Sequence, residues 1–203
     1  LSASVAVLLL YQYPWIVALG GALLLKEPVP KKQWPLFMLM ILGLILVIGF
    51  DYEIRSYEGL FYGFAAALFY SVYILVARNW LKGIDPYVAV AWIQFFAGVI
   101  LAAIHLHSSD RLMEVLVSAG DLILFVIIVP TILAMGLFIA GLQKLRAWEV
   151  SVLSTLEPLT GMILSMIYLG ESFSGFQWLG GLLLLVCLVG IGITQRKNSV
   201  TAV

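Results

Sequence analysis

The stretch that decides the fold is residues 156–181, which read LEPLTGMILSMIYLGESFSGFQWLGG. A proline interrupts an apolar run, a glutamate follows the run, and a Gln-Trp pair opens the next apolar run. The same pattern occurs a second time, near the start of the chain, with a constant offset of 144 residues: Pro14, Glu27, Gln33 and Trp34 against Pro158, Glu171, Gln177 and Trp178. We interpret each copy as a membrane helix broken near its middle by proline, a turn that contains glutamate, and a following helix.

The composition excludes a soluble protein. Hydrophobic residues make up 63% of the 203 residues and charged residues 11%, whereas soluble domains have roughly 45–50% and about 25%. An apolar stretch of about 20 residues spans a bilayer, and seven stretches qualify: residues 2–25, 34–50, 59–79, 86–107, 121–143, 147–169 and 175–194. Residues 108–120 are too short and polar to span, so we expect an interfacial helix or loop there. The predicted fold class is all-α, a polytopic transmembrane helical bundle.

The second copy of the pattern begins five hydrophobic segments after the first, and five is an odd number. The second copy therefore enters the membrane from the opposite side, which predicts an inverted repeat of the kind found in many secondary transporters. If the second repeat begins near Gly59, its counterpart would begin roughly 85 residues before Leu1 on the same offset. We therefore expect an N-terminally truncated chain, the last seven helices of a ten-helix protein.

Lysine and arginine accumulate on the cytoplasmic side of membrane proteins, and here they divide unevenly between the two sides of the predicted spans. Only Arg55 and Arg111 fall on one side, and the others fall on the opposite side: Lys26, Lys31, Lys32, Arg78, Lys82, Lys144, Arg146, Arg196 and Lys197. The chain is thus predicted to be a multi-pass membrane protein with its Lys26 side and its C-terminus in the cytoplasm.

Several elements resemble the EamA type of the drug/metabolite transporter superfamily. They are the Glu157-Pro158 pair, the Leu-Gly-Glu turn that ends at Glu171, and the Gln-x-x-Gly-Gly run at 177–181. The first copy departs from this pattern, since Tyr13 stands where the second has Glu157 and Lys26 where it has Gly170. The resemblance implies four regions: 1–50, the last two helices of a first EamA-type repeat; 51–58, an outer linker; 59–194, a complete second repeat; and 195–203, a cytoplasmic tail.

The resemblance also implies a function. Two five-helix repeats would surround a central cavity, and the protein would be a secondary transporter of small organic metabolites or drugs that works by alternating access across the inner membrane. We expect a small-molecule substrate and the lipid bilayer as partners, with a homodimer left open, and neither nucleic acid nor a cofactor.

Glu157 is the strongest candidate for chemistry. It lies about ten residues into its helix, about 15 Å at the helical rise, which is close to the membrane centre. A carboxylate there costs about 2.5–3.5 kcal/mol even on mild insertion scales, so such groups usually face a cavity or a partner and often mark ion or substrate paths. The alternative is that Glu157 braces neighbouring helices.

Pro158 and Pro14 are candidates because each frees a backbone carbonyl, that of Ser154 and that of Leu10 respectively. At membrane depth a freed carbonyl needs a partner, and water or substrate in a cavity is one. A kink stabilised by a neighbouring helix is the alternative. The remaining candidates carry aromatic, hydroxyl or amide groups that can hold organic solutes or simply pack: Ser154, Tyr11, Tyr13, Tyr70, Tyr73, Trp92 and Gln94.

Two other classes of protein compete with a transporter. A seven-helix membrane receptor or sensor would fit the number of helices, but it would leave the inverted repeat unexplained and the last helix has no internal lysine for a retinal Schiff base. An enzyme is opposed by the lack of HExxH and GxSxG motifs. His105 and His107 have no third ligand nearby in the sequence, so we predict neither catalysis nor a metal site.

Overall fold

The computed structural model describes the backbone of residues 3–48, 57–105 and 118–200 and the side chains of residues 6–48, 57–104 and 118–193. All regular structure in these ranges is helical, which confirms the all-α prediction. Seven helices there are long and apolar enough to cross a membrane, as predicted: Ala6–Leu24, Lys31–Ile48, Tyr57–Trp80, Pro86–Ile104, Gly120–Lys144, Ala147–Leu169 and Gly175–Ile193. Most of the outer linker and of the interfacial segment, His107 and the end of the tail lie outside the described residues.

In chain order the helices are α1 (Ala3–Leu10), α2 (Tyr13–Leu24), α3 (Trp34–Ile48), α4 (Tyr57–Trp80), α5 (Pro86–His105), α6 (Gly120–Val126), α7 (Met135–Lys144), α8 (Ala147–Leu153), α9 (Glu157–Leu169) and α10 (Gly175–Val200). A 3-10 turn (Lys31–Gln33) precedes α3, a second one (Ser154–Leu156) joins α8 to α9, and a π-helical segment (Ile127–Ala134) joins α6 to α7. The chain forms two compact units, Leu1–Leu75 with Arg146–Val203 and Val76–Leu145. This division cuts through α4, so the predicted repeat boundaries stay a prediction.

Two of the spans are broken at positions related by the repeat. The first span, Ala6–Leu24, breaks between α1 and α2, and the sixth span, Ala147–Leu169, breaks between α8 and α9. Pro14 and Pro158 occupy the first turn of α2 and of α9, where a proline costs little because its missing N–H has no partner within the helix in any case. The predicted interruption of both helices by proline is therefore confirmed.

The ends of α2 and α9 are also alike. After α9 the backbone of Gly170 is left-handed, with φ of 69°, and after α2 Lys26 has φ of 56° at the related position. In both turns the next residue bonds back to the helix: Glu27 N–H donates to Gly21 O at 2.9 Å, and Glu171 N–H to Ser165 O at 3.5 Å. A left-handed conformation is easy for glycine and unfavourable for lysine, so only the first copy pays a conformational penalty.

The core of the first unit is the pair α3 and α10, which run antiparallel. Gly43 lies against Gly180, and Cys187 Sγ contacts Leu36 O at 3.2 Å. The two contacts are equivalent under the repeat. An offset of 144 residues relates Gly43 to Cys187 and Leu36 to Gly180, so the contact of Gly43 with Gly180 corresponds to the contact of Cys187 with Leu36. The repeat-related helices thus pack about an approximate two-fold axis in opposite directions, as an inverted repeat requires. Around them lies an apolar cluster that includes Phe37, Met40, Trp148 and Leu184.

The second unit packs α5 against α7 and ties the end of α4 to the end of α7. Arg78 donates to the carbonyls of Leu142 and Gln143 at 3.1 and 3.0 Å, where a cation is favoured by the C-terminus of a helix. Gln143 Nε2 in return donates to Leu81 O and Ile84 O at 2.8 and 2.7 Å. These bonds hold the end of α4 and the end of α7 together.

Lys26→Gly should stabilise the protein, because glycine adopts the left-handed backbone without the steric cost that lysine has there. We expect a gain of about 1 kcal/mol in the free energy of unfolding, measured as a higher melting temperature of the full-length protein in detergent. Lys32→Gly, in the neighbouring 3-10 turn, is the control, since no left-handed backbone is relieved there. An equal gain for both variants would contradict the role of φ.

Gly180→Ala should destabilise the pairing of α3 and α10. A Cβ atom at residue 180 would lie 2.6 Å from Gly43 O and 2.7 Å from Val47 N, both backbone atoms that cannot move independently. We expect a loss of about 1–3 kcal/mol. Gly192→Ala on the same helix meets no atom within 4 Å and should be neutral or stabilising. Equal melting temperatures for the two variants would disprove the close approach.

Candidate functional site

Tyr13, the first residue of α2, lies at the centre of a polar cluster inside the first unit. Its side chain is 1% exposed, and its ring meets the ring of Tyr70 edge-on at a centroid distance of 4.8 Å. The Tyr13 hydroxyl donates to Ser151 O at 3.2 Å. The Ser71 hydroxyl, which donates to Ala67 O on its own helix at 2.7 Å, also lies 3.3 Å from the Tyr13 carbonyl oxygen. Through Tyr13, helix α2 therefore contacts both α8 and α4.

Tyr11 connects this centre to Glu157. The Tyr11 hydroxyl donates to Glu157 Oε2 at 3.1 Å, and the Tyr11 and Tyr13 rings are 5.8 Å apart. On the other side Tyr70 stacks on Tyr73 at 6.1 Å. Five predicted site residues are thus brought together from α1–α2, α4 and α9. We call them the tyrosine–glutamate cluster: Tyr11, Tyr13, Tyr70, Tyr73 and Glu157.

The helix breaks explain why these side chains meet. Tyr11 lies in the break between α1 and α2, and Glu157 is the first residue after the second break. The Ser154 carbonyl, which Pro158 frees from its helical bond, accepts the Glu157 N–H within the 3-10 turn. The Ser154 hydroxyl donates to Val150 O at 3.1 Å. This carbonyl is therefore satisfied locally, and the polar group that the break presents is the Glu157 carboxylate.

The cluster combines aromatic surface with one acidic group. Tyr11 is buried, whereas Glu157 is exposed and lies in the first turn of α9, where the helix dipole favours a negative charge. Aromatic rings can hold apolar parts of an organic solute, and a carboxylate can bind a cation, accept a proton or orient a hydrogen-bond donor. Among the described residues, no group of three His, Cys, Asp or Glu side chains could hold a metal ion.

Trp92 and Gln94 belong to the second unit, on α5. The Trp92 ring lies 6.0 Å from Phe95 and 5.8 Å from Phe96 on its own helix, and both Trp92 and Gln94 are exposed. Their assignment to the lining of a central cavity stays a prediction.

Sequence reasoning missed the role of Glu27. In the sequence Glu27 marked the repeat and its neighbouring lysines indicated orientation, but Glu27 Oε2 also accepts the N–H of Ala147, the first residue of α8, at 3.1 Å. Nearby in sequence, Gln33 is 1% exposed. The sequence signal for both residues was their recurrence as Glu171 and Gln177. A residue type that occurs at the same position in both copies of a repeat indicates a structural role.

A cavity of about 290 Å³ lies in the first unit beside α9. Val7 of α1, Pro158 and Met162 of α9, and Glu171 and Phe173 of the following turn are among its lining residues. Its walls are largely apolar with one carboxylate. Pro158, which lines the cavity, directly follows Glu157 in the chain.

The EamA-like transporter family matches residues 57–193 of the chain. An uncharacterized inner membrane transporter, YicL, of Salmonella typhimurium is 29% identical over 147 residues, which are 71% of this chain and 48% of that protein. A probable amino-acid metabolite efflux pump of the same organism is 24% identical and covers 92% and 66% of the two chains. The chain therefore spans about half to two thirds of the length of these relatives.

A solved crystal structure has the same fold. It matches with a TM-score of 0.72 at 20% sequence identity, over 95% of this chain and 67% of the other chain. At that identity the likeness concerns the fold alone.

Proposed function

Because the chain belongs to the EamA-like transporter family, we propose that the full-length protein is a secondary transporter that moves small organic metabolites or drugs across the inner membrane by alternating access. The observation that carries this proposal is the meeting of two proline-broken helices at the tyrosine–glutamate cluster. Secondary transporters commonly place their substrate sites at discontinuous helices near the bilayer midplane. Family membership also makes a receptor or sensor the weaker alternative.

A second observation supports the proposed division into repeats. Residues 1–50 would end a first repeat and residues 59–194 would form a second one, joined by the outer linker 51–58. Support comes from the antiparallel packing of α3 and α10, whose contacts exchange under the offset of 144 residues. Two such repeats can rock against each other around a site that belongs to neither alone.

Within this site we assign the coupling role to Glu157. It is the one carboxylate near the middle of a described span, it is exposed, and its carboxylate accepts a hydrogen bond from the hydroxyl of Tyr11. A carboxylate at membrane depth can exchange a proton or a cation during transport. The tyrosine rings would hold the organic part of the solute.

Glu157→Gln tests the coupling role. Proteoliposomes that carry the full-length protein would be offered a mixed metabolite panel with and without a pH gradient. The amide can accept the Tyr11 bond but cannot exchange a proton, so we expect gradient-driven uptake to fall at least about tenfold while exchange without a gradient persists. Glu58→Gln, in the first turn of α4, is the matched control and should behave like the native protein.

Each outcome of this experiment has a distinct meaning. If the native protein moves no solute of the panel under any condition, the proposal of transport fails for that panel. If native and Glu157→Gln proteins move a solute equally well with and without the gradient, Glu157 is a structural brace and the coupling proposal is wrong.

The proposed orientation places the Lys26 turn and the C-terminus in the cytoplasm, which is supported by the excess of lysine and arginine on that side. Lys32→Cys and Glu58→Cys are expected at opposite faces of the membrane. A membrane-impermeant thiol reagent added to intact cells should label Glu58→Cys and leave Lys32→Cys unlabelled until the cells are opened. The reverse pattern would invert the topology.

A further inference from the structure

Two helix pairs that the repeat relates to each other differ in packing. The offset of 144 residues relates α1 to α8 and α2 to α9, so the pair α2–α8 corresponds to the pair α9–α1. Helix α2 packs along α8. Helices α9 and α1 instead border the cavity of about 290 Å³, with Pro158 and Met162 on one wall and Val7 on another. One interface is closed and its counterpart is open.

The closed pair is fastened at its end by Glu27. The Glu27 carboxylate accepts the N–H of Ala147, which is an otherwise unpaired donor at the start of α8. Val29, two residues later, is 7% exposed and belongs to the apolar core of the unit. The Tyr13 hydroxyl bond to Ser151 O fastens the same two helices one turn further in.

The open pair, α9 and α1, contains the corresponding residues, but the hydrogen bond that Glu27 makes in the closed pair has no counterpart among its described residues. Glu171 corresponds to Glu27, is exposed, and lines the cavity; within the described residues its carboxylate makes no hydrogen bond or ion pair. Phe173 corresponds to buried Val29 and also lines the cavity. By the offset of 144 residues, Ala3 of α1 corresponds to Ala147 at the start of α8, and Val7 one turn later lines the same cavity as Glu171.

The closed end also holds a group that favours reopening. The Gln33 side chain is buried, and neither its amide nitrogen nor its oxygen has a partner among the described residues. Its counterpart Gln177 accepts the Ser174 N–H at 2.9 Å and donates to Val47 O at 3.3 Å. Pro30 stands at the position of Ser174 and has no N–H to offer. Burying an unpaired amide is unfavourable, and opening this end would let Gln33 reach water or another partner.

We propose that Glu27 and Glu171 are reciprocal gate residues of the transport cycle. In the present state Glu27 caps α8 and closes its end of the molecule, and the cavity beside Glu171 is the solute's entrance towards the tyrosine–glutamate cluster. In the opposite state Glu171 caps the start of α1, the cavity closes, and the Glu27 end opens. This inference rests on the proposed alternating access, and it adds the groups that fasten each end.

The test uses repeat-related reporters. Val29→Cys and Phe173→Cys are placed separately in full-length protein that carries Cys187→Ser, and the labelling rate with a water-soluble maleimide is measured in lipid nanodiscs. With Glu27 intact, Phe173→Cys should react quickly and Val29→Cys slowly. Glu27→Ala removes the cap, so we expect the Val29→Cys rate to rise and the Phe173→Cys rate to fall, each by about fivefold to tenfold.

Two matched variants keep the test specific. Glu27→Gln retains an oxygen that can accept the Ala147 N–H, so both rates should stay near native. Glu171→Ala removes the opposite cap and should leave Phe173→Cys fast and Val29→Cys slow. If Glu27→Ala changes neither rate, or raises both as general loosening would, the gate proposal is overturned. Labelling requires no solute, so it can fail while uptake persists, and uptake can fail while labelling remains reciprocal.

Discussion

Every part of this structure depends on one constraint: inside a bilayer, backbone polar groups must find partners within the protein. Proline removes a backbone hydrogen bond wherever it interrupts a span. The carbonyl that is left free finds a partner in a different way at each proline. At Pro158 a 3-10 turn redirects the Glu157 N–H to the freed carbonyl of Ser154. At Pro130 the helix widens into a π segment, and the Thr131 hydroxyl donates to Val126 O at 2.9 Å. The breaks are therefore stable features, and they bring polar side chains to membrane depth.

The broken helices, the seven spans and the antiparallel final pair could be predicted because each depends on local chemistry. Apolar length fixes a span, proline fixes a break, and an odd number of segments between repeats fixes their relative direction. The grouping of Tyr11, Tyr13 and Glu157 could be predicted for the same reason, since all three lie at the breaks. Pairing of Tyr11 with Glu157 needed the structure, because it joins residues 146 positions apart.

The rest could not be read from the sequence because it depends on which surfaces meet. Nothing local indicates that Glu27 caps α8, a helix that begins 120 residues later. The burial of Gln33 was equally hidden, since glutamine after two lysines is typical of an exposed turn. Trp92 and Gln94 show the opposite case: their residue types suit a binding site, yet type alone cannot tell a cavity wall from a lipid-facing surface.

The close contact between Gly43 of α3 and Gly180 of α10 has a consequence for how the two repeats can move. In the proposed alternating access, an exchange of conformations between the two repeats would convert the contact of Gly43 with Gly180 into that of Cys187 with Leu36, and both contacts are already present between α3 and α10. Because these two contacts exchange with each other, the interface between α3 and α10 would stay unchanged during the proposed cycle. Helices α3 and α10 can thus form a fixed axis about which the repeats rotate. Their backbones approach so closely at Gly43 and Gly180 that the two helices have little room to shift against each other.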